Sequence, residues 1–285
     1  MRNAPIPKDT VGTRSRRDWP AHLVIAGLVL VELFPLYMML QVSFKDNTGF
    51  IQNPWLPSNP VTWHWENWLF GLKLVGPYII NTVFVAVLGT TSSIGLAVLG
   101  AYFFARYRLP FSGVLWAAFL VLMLLPGVAN IVPLFMLLKE LSLLNTLWAL
   151  VIVAVAGGQV FNIFVLRNFI EDLPKDLFEA AEMDGASHLQ QIVTIVIPLS
   201  APIIGTLSIL SFLGIWNDFL LPLIVLRDRE LFTLGVGLIY LDGEYVKQWG
   251  QIMAAYFLAA IPLIIIFLFC MRLFIRGLSQ GAIKG

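Results

Sequence analysis

The residue types that most often carry out catalysis are sparse in this chain, and their spacing does not build a reaction centre. The three histidines, His22, His64 and His188, stand far apart and form no H-E-x-x-H metal motif. No Gly-Lys dipeptide occurs, so the chain has no Walker A loop to hold nucleotide phosphates. The sequence therefore predicts a protein that is not an enzyme and binds no metal or cofactor itself. Energy for any active work must come from another subunit.

Composition indicates a membrane protein. Of the 285 residues, 59% are hydrophobic and 12% are charged, whereas soluble domains carry about 25% charged residues. The net charge of +1 gives no reason to expect a nucleic-acid partner. The single cysteine, Cys270, permits no disulfide framework.

Polar residues inside the apolar runs are the candidates for contact with a transported solute. Most carry neutral amides or one aromatic ring, and they are Asn130, Gln159, Asn162, Trp216, Asn217 and Asp218. The alternative is that these side chains only bond to neighbouring helices. Glu32 is the other acid within a run, and pairing with a neighbouring helix or subunit would explain it.

Six apolar runs have the length that a transmembrane helix needs. They cover residues 21–43, 79–104, 114–138, 147–166, 203–226 and 252–271. The predicted fold is an all-α integral membrane protein with six transmembrane helices. Residues 1–20 form an N-terminal tail, 21–276 the transmembrane domain and 277–285 a C-terminal tail.

Lysine and arginine counts predict the orientation. With the N-terminus inside, the inner segments hold 12 of these residues and the outer segments hold 6. This excess places both termini in the cytoplasm of a multi-pass protein. The polar segment 171–202 then lies on the cytoplasmic side.

Segment 171–202 is the long polar interruption in the chain, and it must lie outside the bilayer. Its first half is strongly acidic, with Glu171, Asp172, Asp176, Glu179, Glu182 and Asp184. Pro174 suits the first turn of a helix, with Asp172 as a possible N-cap, and Gly185 suits its end. A second helix is predicted over 187–196, broken by Pro198. An anionic lipid surface would repel these acids, which favours a protein partner.

The same segment resembles a known signature. EAAEMDGA, followed nine residues after Gly185 by IVIP, resembles the E-A-A motif of ABC-importer permeases, and departs from it only at Ile197, where leucine is frequent. The stretches NTVFVAVLGT, AYFFARYRLPF, LPGVANIVPLF, LSLLNTLWAL, FLGIWNDFLLPLIVL and RGLSQGAIKG extend the resemblance over nearly the whole chain. They are similar to the carbohydrate branch, specifically the MalG-type inner-membrane subunit of maltose importers.

This resemblance implies a type I (MetI-like) importer fold in a bacterial inner membrane. The polar segment would be a coupling helix that docks on a cytoplasmic ATPase through Glu179, Ala180, Ala181, Asp184, Gly185 and Pro198. The resemblance also implies a second permease subunit, two ATPase subunits that bind ATP and Mg²⁺, and an external sugar-binding protein. Asp242, Gly243, Glu244 and Tyr245 would contact that binding protein, and the tail 277–285 would reach the ATPases.

Two alternatives remain at this point. One is an ABC permease for another solute, such as glycerol phosphate, a polyamine or an amino acid. An anionic phosphate would call for basic residues in the spans, and the predicted spans contain none. The other is a secondary transporter that acts without ATP, although two scattered acids make a poor proton relay.

Overall fold

A computed structural model of the chain describes residues 19–107, 110–125, 127–244 and 248–282, without the side chains of 128, 241–244 and 269–282. Every regular element within these ranges is helical, which confirms the all-α class. The α-helices are α1 (Trp19–Val42), α2 (Asn47–Gln52), α3 (Glu66–Arg106), α4 (Ser112–Leu124), α5 (Ile131–Glu140), α6 (Leu147–Glu171), α7 (Lys175–Met183), α8 (His188–Gln191), α9 (Ile197–Leu199), α10 (Ala201–Trp216), α11 (Leu220–Val225), α12 (Leu234–Glu244) and α13 (Trp249–Ala282). Residues 1–18 and 283–285 of the predicted tails lie outside the described residues.

Four helices in the described part of the chain are long and apolar enough to cross a membrane. They are α1, α3, α6 and the Trp249–Leu268 part of α13. The pair His188–Leu199 and Ala201–Trp216, bent by 83°, makes a fifth if it is counted as one span. Four of the predicted runs therefore correspond to long helices. The other two, 114–138 and 203–226, are each broken.

The predicted third span is two helices rather than one. α4 ends at Leu124, a 3₁₀ turn covers Gly127–Asn130, and α5 follows. Leu125 has an extended backbone (φ −72°, ψ 126°) and precedes Pro126 in the sequence. A proline disfavours the helical conformation of the residue before it, which explains the break.

The predicted fifth span is also divided, into α10 and α11. Asn217 and Asp218 lie between the two helices, and Pro222 lies in the first turn of α11. Pro222 cannot donate a hydrogen bond to the carbonyl of Asp218, so the helix could not continue through these residues unchanged. Asp218 Oδ1 accepts from the backbone N–H of Leu221 at 3.4 Å and so helps to start α11.

The polar segment leads into α10 through an unusual turn. A π-helical turn, Ile192–Val196, joins α8 to α9, and Ser200 separates α9 from α10. Pro198 was predicted to break this region, but it lies within α9, which continues the helix from the π-helical turn. The break comes at Ser200 instead, two residues later.

The described residues form two compact units. Those within Met1–Phe70 and Lys247–Phe257 form the first, and those within Gly71–Val246 and Leu258–Gly285 form the second. In the first unit the ring of Phe44 stacks on Trp63 at 4.3 Å between centroids. Lys45 is 3% exposed and donates to the carbonyls of Asn53 (2.5 Å) and Leu56 (2.6 Å). This lysine therefore fixes the path of the chain after α2.

Two apolar clusters form the core of the second unit. One joins α3, α6 and the polar segment, and its buried members include Tyr102, Leu166, Phe178 and Val196. The other joins α3, α6, α11 and the start of α12, with Leu150 and Val236 among its buried residues. The first cluster holds the polar segment in place.

Candidate functional site

The polar segment folds as a helix, a sharp turn and a second helix, as predicted. α7 begins at Lys175, directly after Pro174, and Asp176 lies in its first turn, where an acid suits the helix dipole. Gly185 has φ +76°, the left-handed conformation that ends a helix. The start differs slightly from the prediction, because Pro174 rather than Asp172 occupies the N-cap position.

A capping box starts the second helix and fixes the turn. The Ser187 hydroxyl accepts from the Gln190 backbone N–H at 3.4 Å, and the Gln190 side chain accepts from the Ser187 backbone N–H at 2.7 Å. Without these bonds the backbone N–H groups of Ser187 and Gln190 would be unpaired donors at the start of the helix. The turn between α7 and α8 therefore has one well-defined geometry.

The inner face of α7 is anchored by an aromatic side chain and a cation. Phe178 is 1% exposed and lies within the apolar cluster of α3 and α6. The guanidinium of Arg106 lies over the Phe178 ring, 4.3 Å from its centroid, and pairs with the Glu182 carboxylate at 3.2 Å. A cation over an aromatic face adds stability beyond area burial. α7 is thus attached to the end of α3 by one buried ring and one charge pair.

The second helix is attached to α3 by hydrogen bonds. The Tyr102 hydroxyl donates to Gln191 Oε1 at 2.8 Å and lies 3.1 Å from Nδ1 of His188. Tyr107, one turn further along the chain, places its hydroxyl 3.0 Å from Nε2 of the same histidine. Gln191 is 1% exposed, and its amide donates to the Ala186 carbonyl at 3.3 Å. These bonds make α7, α8 and the end of α3 one structural block.

The outward face of α7 is left uncovered by this chain. Glu179, Ala180, Asp184 and Gly185 are exposed, and Met183 is 88% exposed. A Cβ built on Gly185 would meet nothing within 4 Å. The small residues of this face therefore serve no close packing within the chain.

The remaining motif residues differ in their burial. Ala181 is half-buried beside Phe178, and Pro198 is exposed in α9. The role of Ala181 and Pro198 in contacting an ATPase stays a prediction. The same holds for Glu179, Ala180, Asp184 and Gly185.

Two of the predicted solute contacts are engaged between helices. Gln159 donates to the Ser93 carbonyl at 3.1 Å and to the Val155 carbonyl at 2.8 Å. Asn162, 2% exposed, donates to the hydroxyls of Ser93 at 3.3 Å and Ser211 at 3.5 Å. These amides join α3, α6 and α10, which is the alternative that the sequence left open.

The other predicted solute contacts are not gathered in one place. Asn130 is exposed at the start of α5. Trp216 is buried and stacks on Phe212 at 5.5 Å, while the exposed Asn217 bonds to the Leu213 carbonyl at 2.9 Å. Asp218 is half-buried and lines a cavity of about 220 Å³, which none of the other five candidates lines.

The candidate binding-protein contacts lie at the end of α12 and directly after it. Tyr245 lies outside the described residues, as do the side chains of Asp242 and Glu244. The backbone of Asp242, Gly243 and Glu244 belongs to the end of α12. Their predicted role stays a prediction.

Several residues of these sites were not found from sequence. Tyr102 and His188 lie in different predicted segments, and nothing local marks them as partners. Arg106 was counted only as an inner charge. Thr82 and Thr233, which share the cavity with Asp218, are ordinary threonines in sequence. Only the presence of Phe178 beside the motif gave a local signal, as a large apolar residue in an acidic helix.

Comparison with known proteins gives one clear family. A family described as "binding-protein-dependent transport system inner membrane component" matches residues 93–280. A trehalose/maltose transport system permease protein, MalG of Thermococcus litoralis, is 33% identical over 92% of this chain and 96% of its own length. A diacetylchitobiose uptake system permease protein of Streptomyces coelicolor is 30% identical over 94% of this chain and 98% of its own length.

One solved structure shares the fold. It is a chain of a bacterial ABC transporter involved in the import of the acidic polysaccharide alginate. The TM-score is 0.75, with 24% sequence identity, over 92% of this chain and 99% of that chain. At this identity the likeness supports the fold alone.

Proposed function

The chain belongs to the family of inner membrane components of binding-protein-dependent transport systems, and from that premise we propose that it is the permease subunit of an ATP-driven carbohydrate importer. It moves a sugar received from an external binding protein into the cytoplasm by alternating access. The observation that carries this function is the exposed, acidic, small-residue face of α7, on a helix whose other face is fixed to the membrane helices.

The α7 face calls for a protein partner. Glu179, Asp184 and the neighbouring Asp176 are all exposed and acidic, so an anionic lipid surface would repel them. Met183 is almost fully exposed beside them and offers such a partner an apolar contact. The absence of a Cβ at Gly185 lets another backbone approach closely.

The partner is the ATPase subunit of the importer. ATP and Mg²⁺ are bound there and not by this chain. When two ATPase subunits close, they draw together the α7 helices of this permease and of a second, homologous permease. The attachment of α7 and α8 to α3 through Phe178 and Tyr102 transmits that movement to the membrane helices.

The arrangement in the membrane has six crossings with both termini in the cytoplasm. α4 with α5, and α10 with α11, supply the third and fifth crossings as broken helices. Broken spans are tolerated where neighbouring protein satisfies the freed backbone groups. The excess of Lys and Arg in the segments assigned to the inside, 12 against 6, supports this orientation.

The substrate is a carbohydrate, because the relatives named for their substrates transport trehalose, maltose and diacetylchitobiose. Asp218, with its cavity, is the candidate contact from this chain. The loop that contains Asp242, Gly243, Glu244 and Tyr245 contacts the binding protein.

Charge reversal on the outward face tests the docking role. In the full transporter, Glu179→Lys should weaken binding of the ATPase subunit and reduce sugar-driven ATP hydrolysis at least tenfold, while the permease still inserts. Glu140→Lys, an exposed charge reversal in α5, serves as the matched control and should change neither. Normal binding and hydrolysis in Glu179→Lys would refute the docking role. Sugar flux through this chain without any ATPase subunit would refute the importer assignment.

A further inference from the structure

The cavity beside Asp218 has the size and lining of a small ligand site. Its volume is about 220 Å³, and it lies between α3, α6, α10, α11 and the residue that precedes α12. Three lining residues are polar, namely Thr82, Asp218 and Thr233, and the others are apolar or glycine. This space is large enough for several waters or for one sugar ring.

The three polar groups differ in their availability: Asp218 is open to a ligand, and the Thr233 hydroxyl, on a residue that lines the cavity, is buried and unpaired. The Thr82 hydroxyl is occupied, because it donates to the Tyr78 carbonyl at 2.8 Å and accepts from the Leu234 N–H at 2.8 Å. Thr233 is 5% exposed, and its hydroxyl has no hydrogen-bond partner among the described residues. The Asp218 carboxylate accepts from the backbone N–H of Leu221 at 3.4 Å and from that of Leu220. A carboxylate has about four acceptor positions, so about half of them remain open.

The segment that carries Thr233 is held rigidly. The Asn145 side chain accepts from the backbone N–H groups of Arg227 at 2.9 Å and Asp228 at 3.0 Å. The Asn81 amide donates to the carbonyls of Glu230 at 2.7 Å and Phe232 at 3.1 Å. A buried hydroxyl without a partner costs free energy, and the fixed backbone keeps Thr233 at the wall of the cavity. A bound molecule that supplies the missing partner would remove that cost.

The charge of the cavity selects among sugars. No Lys, Arg or His is among the residues that line it. The Asp218 carboxylate, held by backbone hydrogen bonds, accepts hydrogen bonds from hydroxyl groups, and in its ionised form it repels an anion. A sugar ring with free hydroxyls meets this requirement. A uronate or a sugar phosphate does not.

We infer that this cavity is a subsite for a single neutral sugar ring of the transported carbohydrate. The Asp218 carboxylate accepts hydrogen bonds from hydroxyl groups of the ring. A further ring hydroxyl bonds to the Thr233 hydroxyl. The same carboxylate excludes acidic sugars. This subsite rests on the proposed carbohydrate function and adds a selectivity to it.

Thiol labelling tests the site without measuring transport. In the full transporter in lipid nanodiscs, the single native cysteine is removed by Cys270→Ser, and Thr233→Cys is introduced. A cationic methanethiosulfonate should react with this cysteine at least tenfold faster than an anionic one. Asp218→Asn should bring the ratio of the two rates close to one. Asn130→Cys, exposed and outside the cavity, is the control and should show no effect of Asp218→Asn.

Protection by matched sugars tests the ligand class. Glucose and glucuronate differ by one carboxylate, and at high millimolar concentration only glucose should slow labelling of Thr233→Cys. In the Asp218→Asn background, glucuronate should gain protection. A Thr233→Cys that does not react at all, or equal protection by both sugars with Asp218 intact, would overturn the subsite.

Transport separates a failed subsite from a failed function. In the wild-type transporter, uptake of a neutral oligosaccharide should exceed uptake of a uronate oligomer, and Thr233→Val should raise the half-saturation concentration for the neutral sugar about tenfold. Uptake that is unchanged in Thr233→Val, in a transporter that does import sugar, refutes the subsite alone. A transporter that imports amino acids or polyamines and no sugar refutes the proposed function itself.

Discussion

The bond between Tyr102 and Gln191 gives the sharpest prediction of how the polar segment is held. Tyr102→Phe removes only the hydroxyl that donates to Gln191 Oε1 at 2.8 Å. Gln191 is 1% exposed, so water cannot readily replace the lost donor. Leaving a buried acceptor unpaired costs about 1–3 kcal/mol. The α8 region should therefore open locally about 5- to 150-fold more often.

Hydrogen exchange in nanodiscs measures this opening directly. Peptides that cover 188–196 should exchange faster in Tyr102→Phe by that factor. Tyr107→Phe is the matched control. The hydroxyls of Tyr102 and Tyr107 both contact His188, but Tyr107 is 41% exposed. Water replaces its hydroxyl, so the change should stay within about 0.5 kcal/mol, or about twofold.

A double variant separates the lost bond from a general packing defect. Tyr102→Phe with Gln191→Met replaces both partners by apolar groups of similar shape, which is expected to cost little. The rate of hydrogen exchange over 188–196 should then fall part of the way back to the wild-type rate. It does not fall completely, because Gln191→Met also removes the bond from Gln191 to the Ala186 carbonyl. Equal effects of Tyr102→Phe and Tyr107→Phe, or unchanged exchange in Tyr102→Phe, would refute the reasoning.

Three further perturbations follow from packing and charge. Phe178→Ala should lower the stability of α7 by about 3–5 kcal/mol, because the side chain is buried. Hydrogen exchange over 175–183 should become much faster. Leu177→Ala is the control: its side chain is exposed, so exchange should change little. Gly158→Ala places a Cβ 2.6 Å from Ser93 Oγ, which should cost about 1–3 kcal/mol of stability and lower the thermal midpoint of unfolding. Adding Ser93→Ala removes this oxygen, so the midpoint should rise part of the way back. A midpoint that does not rise would contradict this contact. Burial lowers the pKa of Lys45 from its ordinary value of 10.5, so the folded state binds fewer protons than the unfolded state just below pH 10.5, and stability there should rise with pH. Protease resistance of the chain around 43–57 should show this rise, and Lys45→Met should lower resistance at neutral pH and abolish the pH dependence.

The helix and turn of the polar segment could be predicted because their signals are local. Pro174 and Gly185 act through their own backbone conformations, and Ser187 with Gln190 forms a capping box over four consecutive residues. No distant contact is needed to specify these features. The boundaries consequently agree with the prediction to within about three residues.

The broken spans were not predicted because hydropathy does not register backbone hydrogen bonds. Runs 114–138 and 203–226 are apolar throughout most of their length, and a window of about 19 residues treats Pro126 and Pro222 as minor interruptions. In the structure Leu125, directly before Pro126, leaves the helix, and so do residues 217–219, which lie three to five positions before Pro222. The prolines were visible in the sequence, so their effect on residues 125 and 218 could have been anticipated.

The partners of the candidate site residues depend on contacts between distant segments. Gln159 and Asn162 were selected as polar residues in an apolar run, but Ser93, which engages both, lies on another helix. Asp218 was also selected for its charge, and its cavity becomes visible only when Thr82 and Thr233 are brought beside it. A single sequence contains no signal for such pairings.

The π-helical turn at Ile192–Val196 absorbs one extra residue in the polar segment. Such a turn contains one residue more than the α-helical turn that would replace it. The two turns rotate the chain by nearly the same angle, so deleting one residue there should leave His188 and Gln191 facing Tyr102. An added or deleted residue that the turn does not absorb would instead rotate the chain before it by about 100° relative to the chain after it. The turn therefore lets the polar segment change its length by one residue while the outward face of α7 stays connected to the membrane helices.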